Sequence, residues 1–305
     1  MLTAEVERQA PSFGEVRERF IQLHVRENCK DVRNYISRLK KFSQFDAREV
    51  TDISRRDIFN VLDELRAKGN GASVNRTLAN IRKLFNWALD RGYVEVNPIS
   101  NARAIVKEVP RDRVLTDNEL GRIWVAAEAE GFPFGPLVQM LILTGQRRSE
   151  VGGMRWSDVD FSRGVWTIAA DQAKNGCAHE VPLAESALAI TRLAPNFLGS
   201  DYVFTTTGRS PISGYGRLKK RLDIASGVAN WRLHDLRRTT ATGLAKLGTA
   251  PHIIEAVLNH KSGIVSGVAA TYNRYAYAEE KRASLECWSD HVEKVSAQSV
   301  LHQMA

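Results

Sequence analysis

The 305-residue sequence has only three cysteines, Cys29, Cys177 and Cys287. They are odd in number, far apart and without metal-ligand spacing, so reduced thiols are expected rather than disulfides or a zinc site. No stretch approaches the ~18 consecutive apolar residues of a membrane span, and the opening "MLTAEVERQAPSFGEVRERF" lacks the apolar run of a signal peptide. A cytoplasmic protein is the expectation. No Gly-x-x-x-x-Gly-Lys-Ser/Thr loop is present to cradle a nucleotide, and no carboxylate cluster to hold a metal. Internal repeats and low-complexity segments are missing too.

What is present is an ordinary globular composition, 43% hydrophobic and 26% charged, on a chain longer than one hydrophobic core usually serves. Two domains follow as the expectation. The 43 Lys+Arg against 35 Asp+Glu give +8, which favours a polyanionic partner such as nucleic acid. Residues 1–110 hold 20 basic and 15 acidic residues, leaving 23 and 20 for 111–305, so neither half is a basic tail. Charge spread over two folded domains suits a grip on DNA from both sides, although a solvated basic surface would look the same.

After a tail at 1–11, the segments "SFGEVRERFIQLHVREN", "VRNYISRLKKFSQF", "SRRDIFNVLDELRAKGNG" and "SVNRTLANIRKLFNWALDRGY" read as helices of a small all-α domain over 12–98. In the last, Leu78, Ile81, Leu84, Phe85 and Ala88 recur at three- and four-residue steps, one buried face. The third begins at Ser54, a good N-cap, and stops at Asn70-Gly71. Asn97-Pro98 ends the run, and 99–113 has no sustained periodicity, so it is placed as a linker. A second domain over 114–290 opens at Thr116 and Glu119, which have capping-box spacing. The apolar "PLVQMLILTG" reads as a buried helix. In "VWTIAADQAKNGCAHEVPL" two short strand-like runs flank Asn175-Gly176, a hairpin-turn signal. Helices return with "GYGRLKKRLDIA", "LHDLRRTTATGLAKLG" and "PHIIEAVLNH". "AEEKRASLECWSDHVEKV" closes the domain, and 291–305 follows as a weakly periodic tail.

Four pieces of the second domain carry unusual chemistry. Arg147 and Glu150 lie three apart in "TGQRRSEVGGMRW"; alone they would be a surface ion pair. Lys174 sits at the hairpin tip in "AKNGCAHEVPL", where a solvated turn lysine is the commoner fate. His234 and Arg237 share a helix face in "HDLRRTTAT", and His260 ends a helix in "LNHKSG", where it could simply meet the helix dipole. Downstream, "AATYNRYAY" holds Tyr272, Tyr275 and Tyr277, three of only seven tyrosines.

Taken together, in the order Arg, Lys, His-x-x-Arg, His, Tyr, these residues resemble the tyrosine recombinase family, the phage-integrase type of DNA strand-exchange enzymes. Thr-Gly-x-Arg-x-x-Glu, Lys-Asn-Gly before a strand, His-x-Leu-Arg-Arg-Thr and Leu-x-His occur at matching order and separation over about residues 12–290. "YNRYAYAEEKR" looks most like integrases of prophages and genomic islands. The resemblance implies a mainly α fold, with an all-helical core-binding domain followed by a mostly helical catalytic domain carrying a small antiparallel sheet.

It also implies a mechanism. Arg147 and Arg237 would neutralise the two non-bridging oxygens of the attacked phosphodiester, because planar guanidinium forks match phosphate and stay charged. His260 would add a hydrogen bond to that phosphate, and Lys174 would protonate the leaving 5′ oxygen. His234 would accept the tyrosine proton or hold the phosphate, and Glu150 would orient the arginines. The nucleophile would be Tyr272, the first tyrosine of "YNRY", with Gly263 and Gly267 lengthening the stretch after His260. Tyr275 and Tyr277 are given packing roles.

Neither a cofactor, a metal nor ATP enters such a scheme, since a 3′-phosphotyrosyl bond keeps the energy of the broken linkage. The implied partners are double-stranded DNA attachment sites and further copies of the chain, as a tetramer on DNA in which the tail touches a neighbour; DNA binding would place the protein on the nucleoid. Accessory DNA-bending or directionality factors would be compatible with the resemblance, though no residue identifies them. Arg55, Arg56, Arg82 and Lys83 are the expected DNA contacts of the first domain. Only about eleven residues precede the first helix, so either the protein works without the additional arm-binding domain that island-type integrases often carry or the chain is trimmed of it. Two other readings remain: a recombinase-derived DNA-binding protein without catalysis, and a type IB topoisomerase, which shares phosphotyrosyl chemistry.

Overall fold

The structure, a computed structural model, describes residues 10–29, 31–69, 71–260 and 275–304. The chain divides into two compact units between Arg111 and Asp112.

The first unit is helical. Helix α1 (Phe13–Phe20) opens on a capping box in which Ser12 Oγ accepts from Glu15 N at 3.2 Å while the Glu15 carboxylate accepts from Ser12 N at 2.9 Å. A π-helical stretch, Ile21–Val25, carries the chain into α2 (Arg26–Asn28), and α3 is Val32–Leu39. Helix α4 (Arg55–Ala67) starts with a second box, Ser54 with Asp57. It ends earlier than the sequence suggests. Gly69 takes the left-handed conformation that closes it, at φ 76°, whereas Gly71 begins α5 (Gly71–Asp90). The face read from periodicity, Leu78, Ile81, Leu84, Phe85 and Ala88, is buried against Phe13, Phe42, Ile58 and Leu62.

The segment read as a linker belongs in large part to this unit. Ile99 and Ala102 are buried in its core. Asn75 on α5 ties the backbone down farther along, its Nδ2 donating to Val106 O at 2.7 Å and its Oδ1 accepting from Ile105 N at 2.9 Å. Asn75 sits too far away in sequence for any local pattern to show it.

The second unit surrounds one core of helices with a small sheet on its edge. Helix α6 (Asp117–Glu130) begins with the Thr116–Glu119 box. Helix α7 (Phe134–Thr144) is buried over its C-terminal eight residues and ends at Gly145, left-handed at φ 63°. Helix α8 (Arg148–Gly152) leads into three antiparallel strands in the order β1 (Val159–Asp160), β2 (Val165–Ile168), β3 (His179–Pro182). Ile168 pairs with His179, so the connection covers 169–178 instead of the two-residue hairpin that Asn175-Gly176 suggests. The turn itself is there, closed by Gly176 N donating to Ala173 O at 3.0 Å with Gly176 at φ 71°. Lys174 and Asn175 form its centre. Helices α9 (Glu185–Arg192), α10 (Tyr215–Ser226), α11 (Leu233–Lys246), α12 (Pro251–Leu258) and α13 (Ala278–Met304) complete the unit.

The supposed tail at 291–305 continues the last helix: α13 runs to Met304, and Val292, Val295 and Ser299 are buried. It lies so close to α6 that a methyl on Gly121 would overlap Ser299 Oγ and the Val295 carbonyl. The low periodicity of this segment reflects a narrow contact made through small residues. Gly243 gives the same closeness between α11 and α13, because Trp288, fully buried and donating from Nε1 to Ile142 O at 2.8 Å, covers it. A Gly243→Ala side chain would fall inside that ring. The expected loss is about 3 kcal/mol of stability, measurable by urea unfolding.

Candidate active site

The site is assembled on the C-terminus of α12. Asn259, at φ 46° and ψ 48°, ends this helix in the left-handed conformation and leaves the last carbonyls without helical partners. Three consecutive carbonyls are instead taken by groups from other elements. Val257 O accepts from Gln146 Nε2 at 2.8 Å and lies 3.0 Å from His179 Nε2 on β3. Leu258 O accepts from Arg237 Nη2, and Asn259 O from Arg147 Nη2 at 3.4 Å. The negative end of the helix dipole thus gathers both arginines.

Arg147 is held from the other side as well. It precedes α8 in an extended conformation, and the Glu150 carboxylate accepts from its backbone N at 2.9 Å and from Nη1 at 2.8 Å. That carboxylate is buried. Arg237, on α11, is buried with Nη1 donating to Gly145 O at 2.7 Å. Gly145 has no room for a side chain, since a Cβ there would stand 3.0 Å from both Leu258 Cδ2 and Thr240 Cγ2. Burial first, and then the Arg147 charge, bring the Arg237 pKa down to about 10, with Glu150 opposing. Arg237 therefore remains a cation at neutral pH. Two guanidiniums lie within electrostatic range of one buried carboxylate, which pairs with Arg147, an excess of positive charge that an anion would relieve.

Arg147 borders an open cleft of about 520 Å³. Arg147, Lys174 and His234 line it, together with Arg148, Lys219 and Arg232, and among the described residues no carboxylate does. Lys174 is exposed at its turn. His234, three residues before Arg237, keeps an exposed ring; partial burial, then the charges of Arg238 and Arg237, hold its pKa below the ordinary histidine value. The imidazole is thus predominantly neutral at neutral pH. Arg237 and Glu150 are not among the residues that line the cleft. His260 is exposed one residue past Asn259, its N donating to Glu255 O at 3.0 Å, and does not line the cleft.

Tyr272, the expected nucleophile, lies outside the described residues. Of its neighbours, Tyr277 packs on His252 with ring centroids 5.2 Å apart and contributes to the core edge. Tyr275 is 61% exposed and stands edge-on to Tyr277. Both precede α13, so they do not share a helix face. In the first unit Arg55 and Arg56 are exposed on α4, Arg55 stacking over Phe59, and Lys83 is exposed on α5. Arg82 differs: its Nε donates to Ile99 O at 3.1 Å and its Nη2 to Ala102 O, so it secures the chain after α5 and has little left for a ligand.

Sequence reasoning missed Arg148, Lys219 and Arg232, as well as Gln146, His179, Asn175 and Asn259. The two asparagines flank residues it did select, Lys174 and His260, and that adjacency was the available signal. Among the described residues no group of three or more His, Cys, Asp or Glu could hold a metal, and no helix is long and apolar enough to cross a membrane.

Residues 113–281 match the phage integrase family, and residues 22–92 match the phage integrase N-terminal SAM-like domain. The chain belongs to the phage integrase family. Its relatives in that family are prophage integrases and tyrosine recombinases. The prophage integrase IntA of Escherichia coli is 24% identical over 268 residues, 83% of this chain and 62% of that protein. A tyrosine recombinase XerC-like protein of Caldanaerobacter subterraneus subsp. tengcongensis is 24% identical over 305 residues, 85% of this chain and 75% of its own length. The chain therefore spans less than two thirds of the IntA integrase. Among solved structures, a lambda integrase tetramer bound to a Holliday junction has a TM-score of 0.70 at 23% identity, covering 86% of this chain and 81% of that one. That similarity shows the integrase fold: helices with a small antiparallel sheet.

Proposed function

We propose that this integrase-family chain is a site-specific DNA recombinase that cleaves and rejoins strands through a 3′-phosphotyrosyl intermediate, integrating or excising a mobile element. The observation that carries the reading is the pair of guanidiniums, Arg147 and Arg237, both fixed on the end of α12, with Arg147 held by the buried Glu150 carboxylate and lining one cleft with Lys174 and His234.

The chemistry follows from those groups. Tyr272 Oη attacks the scissile phosphorus, and its proton passes to the neutral His234 or to solvent. Charge builds on the two non-bridging oxygens, which the Arg147 and Arg237 guanidiniums neutralise. His260 adds a hydrogen bond from the exposed side. The P–O5′ bond breaks as Lys174 Nζ gives its proton to the 5′ oxygen, which leaves as a hydroxyl. One phosphodiester is exchanged for another, so an incoming 5′ hydroxyl can reverse the step without ATP, and the arginines supply the charge neutralisation a metal would otherwise give.

In this reading residues 12–98 bind DNA around the core site, with Arg55, Arg56 and Lys83 as exposed phosphate contacts. Residues 114–290 are catalytic. The partner is a double-stranded attachment site, and a lambda integrase tetramer on a Holliday junction supports assembly of four copies on DNA.

Covalent trapping tests the reading. With a nicked suicide substrate from the attachment site of the encoding element, wild type and Tyr275→Phe are expected to form a protein–DNA adduct that survives denaturant, whereas Tyr272→Phe forms none. An adduct lost only with Tyr275→Phe would move the nucleophile to Tyr275. Specific binding without any adduct would make the chain a DNA-binding protein only.

A further inference from the structure

Lys174 poses a positioning problem. It is exposed on a ten-residue connection between two four-residue strands, yet the reaction proposed above needs its Nζ within hydrogen-bond reach of one oxygen. A free turn lysine would sample many positions, and about 1 Å of misplacement can cost on the order of 100-fold in rate. The structure contains a device that fixes the turn. Asn175, next to Lys174, forms a reciprocal amide pair with Asn259: Asn175 Nδ2 donates to Asn259 Oδ1 at 2.6 Å, and Asn259 Nδ2 donates back to Asn175 Oδ1 at 3.2 Å. Asn175 Oδ1 also accepts from Cys177 N at 3.2 Å, which stiffens the turn from within.

Asn259 joins this turn to the arginines. Its carbonyl accepts from Arg147, and the carbonyl before it accepts from Arg237. Its left-handed backbone is one that asparagine tolerates better than most residues, so a single position both ends α12 and presents an amide to the turn. We propose that the Asn175–Asn259 amide pair is the positioning element that docks the Lys174 turn on the arginine-bearing helix end, setting proton donor and phosphate-binding groups in one frame. The inference rests on Lys174 being the general acid.

That role gives the test a particular signature. A 5′-bridging phosphorothiolate substrate breaks a P–S bond and releases a thiolate, whose conjugate acid has a pKa of about 8.5. An alkoxide is a far stronger base than a thiolate and needs its proton during departure. A defect confined to proton delivery therefore disappears on the sulfur substrate, whereas a defect in arginine placement or folding persists. Asn259→Gly keeps the left-handed backbone accessible while deleting the amide, and Asn175→Ala removes the other half.

Single-turnover cleavage of the ordinary oxygen substrate is expected to slow by about 10- to 100-fold in either variant, and the double variant should be no slower than the slower single one. On the phosphorothiolate substrate all three should cleave at the wild-type rate. Unchanged cleavage of the oxygen substrate by Asn259→Gly, or equal slowing on both substrates, overturns the proposal. Lys174→Ala separates the two layers: if sulfur does not restore its activity, the general-acid assignment itself fails, and if sulfur restores Lys174→Ala but neither asparagine variant, the positioning inference alone fails.

Discussion

Arg237→Lys is expected to slow strand cleavage by roughly 100- to 1,000-fold, the range seen when one donor to a developing oxyanion is removed. The substitution keeps the charge and removes the fork. In the structure the two terminal nitrogens of Arg237 reach different elements, Gly145 O at the end of α7 and Leu258 O at the end of α12. An ammonium group is a point donor and cannot hold both carbonyls while still facing a phosphate. In a place where burial has already lowered the arginine to about 10, a lysine would also lose its proton more readily. One carbonyl would be left unpaired, at a cost of about 1–3 kcal/mol of stability. Single-turnover cleavage, run beside urea unfolding and duplex affinity, separates these effects. A lysine variant that cleaves at the wild-type rate would show that the bidentate geometry is not needed.

The second large effect concerns acid. His179 is buried on β3, with Nε2 3.0 Å from Val257 O. Burial first, and then the charge of Lys281, hold its pKa at about 4; Arg237 acts in the same direction, while the contact with Val257 O and the charge of Glu150 oppose. The unfolded chain has an ordinary histidine, near 6.5. Between those values the unfolded state binds a proton that the folded state refuses, so stability falls as pH falls. The contribution is fully present above about pH 6.5, declines from there to about pH 4, and amounts to as much as about 3 kcal/mol. Urea unfolding from pH 7 to pH 4 should therefore show a steep decline in the wild type and a shallower one in His179→Gln. Parallel pH profiles would refute the assignment.

How far the sequence speaks depends on the range of each interaction. The capping boxes at Ser54 and Thr116 and the buried stripe on α5 were readable because each is complete within a few residues. Gly71 was misread as a terminator because Gly69, two residues earlier, supplies the left-handed turn. The Asn175-Gly176 signal located the turn but not the ten-residue connection around it, whose length is set by the pairing of Ile168 with His179. Arg82 looked like a surface cation, and only the path of 99–102 shows what occupies it.

At the site, order and spacing selected Arg147, Lys174, His234 and Arg237, and the structure brings them to one helix end and its cleft. Glu150, which grips Arg147, was legible three residues away, but what grips Arg237 is backbone carbonyl, which every residue possesses and no sequence pattern marks. Asn175 and Asn259 meet across 84 positions, a distance over which residue order gives no guidance.

The end of α12 has a mechanical consequence. Three successive carbonyls hold groups from α11, β3 and the segment between α7 and α8, and the neighbouring amide holds the Lys174 turn. A slide of this helix by one residue, about 1.5 Å along its axis, would put all of those grips out of register together. The contacts thus have a single bolt in common: a displacement of this helix end would strain them together and not one at a time.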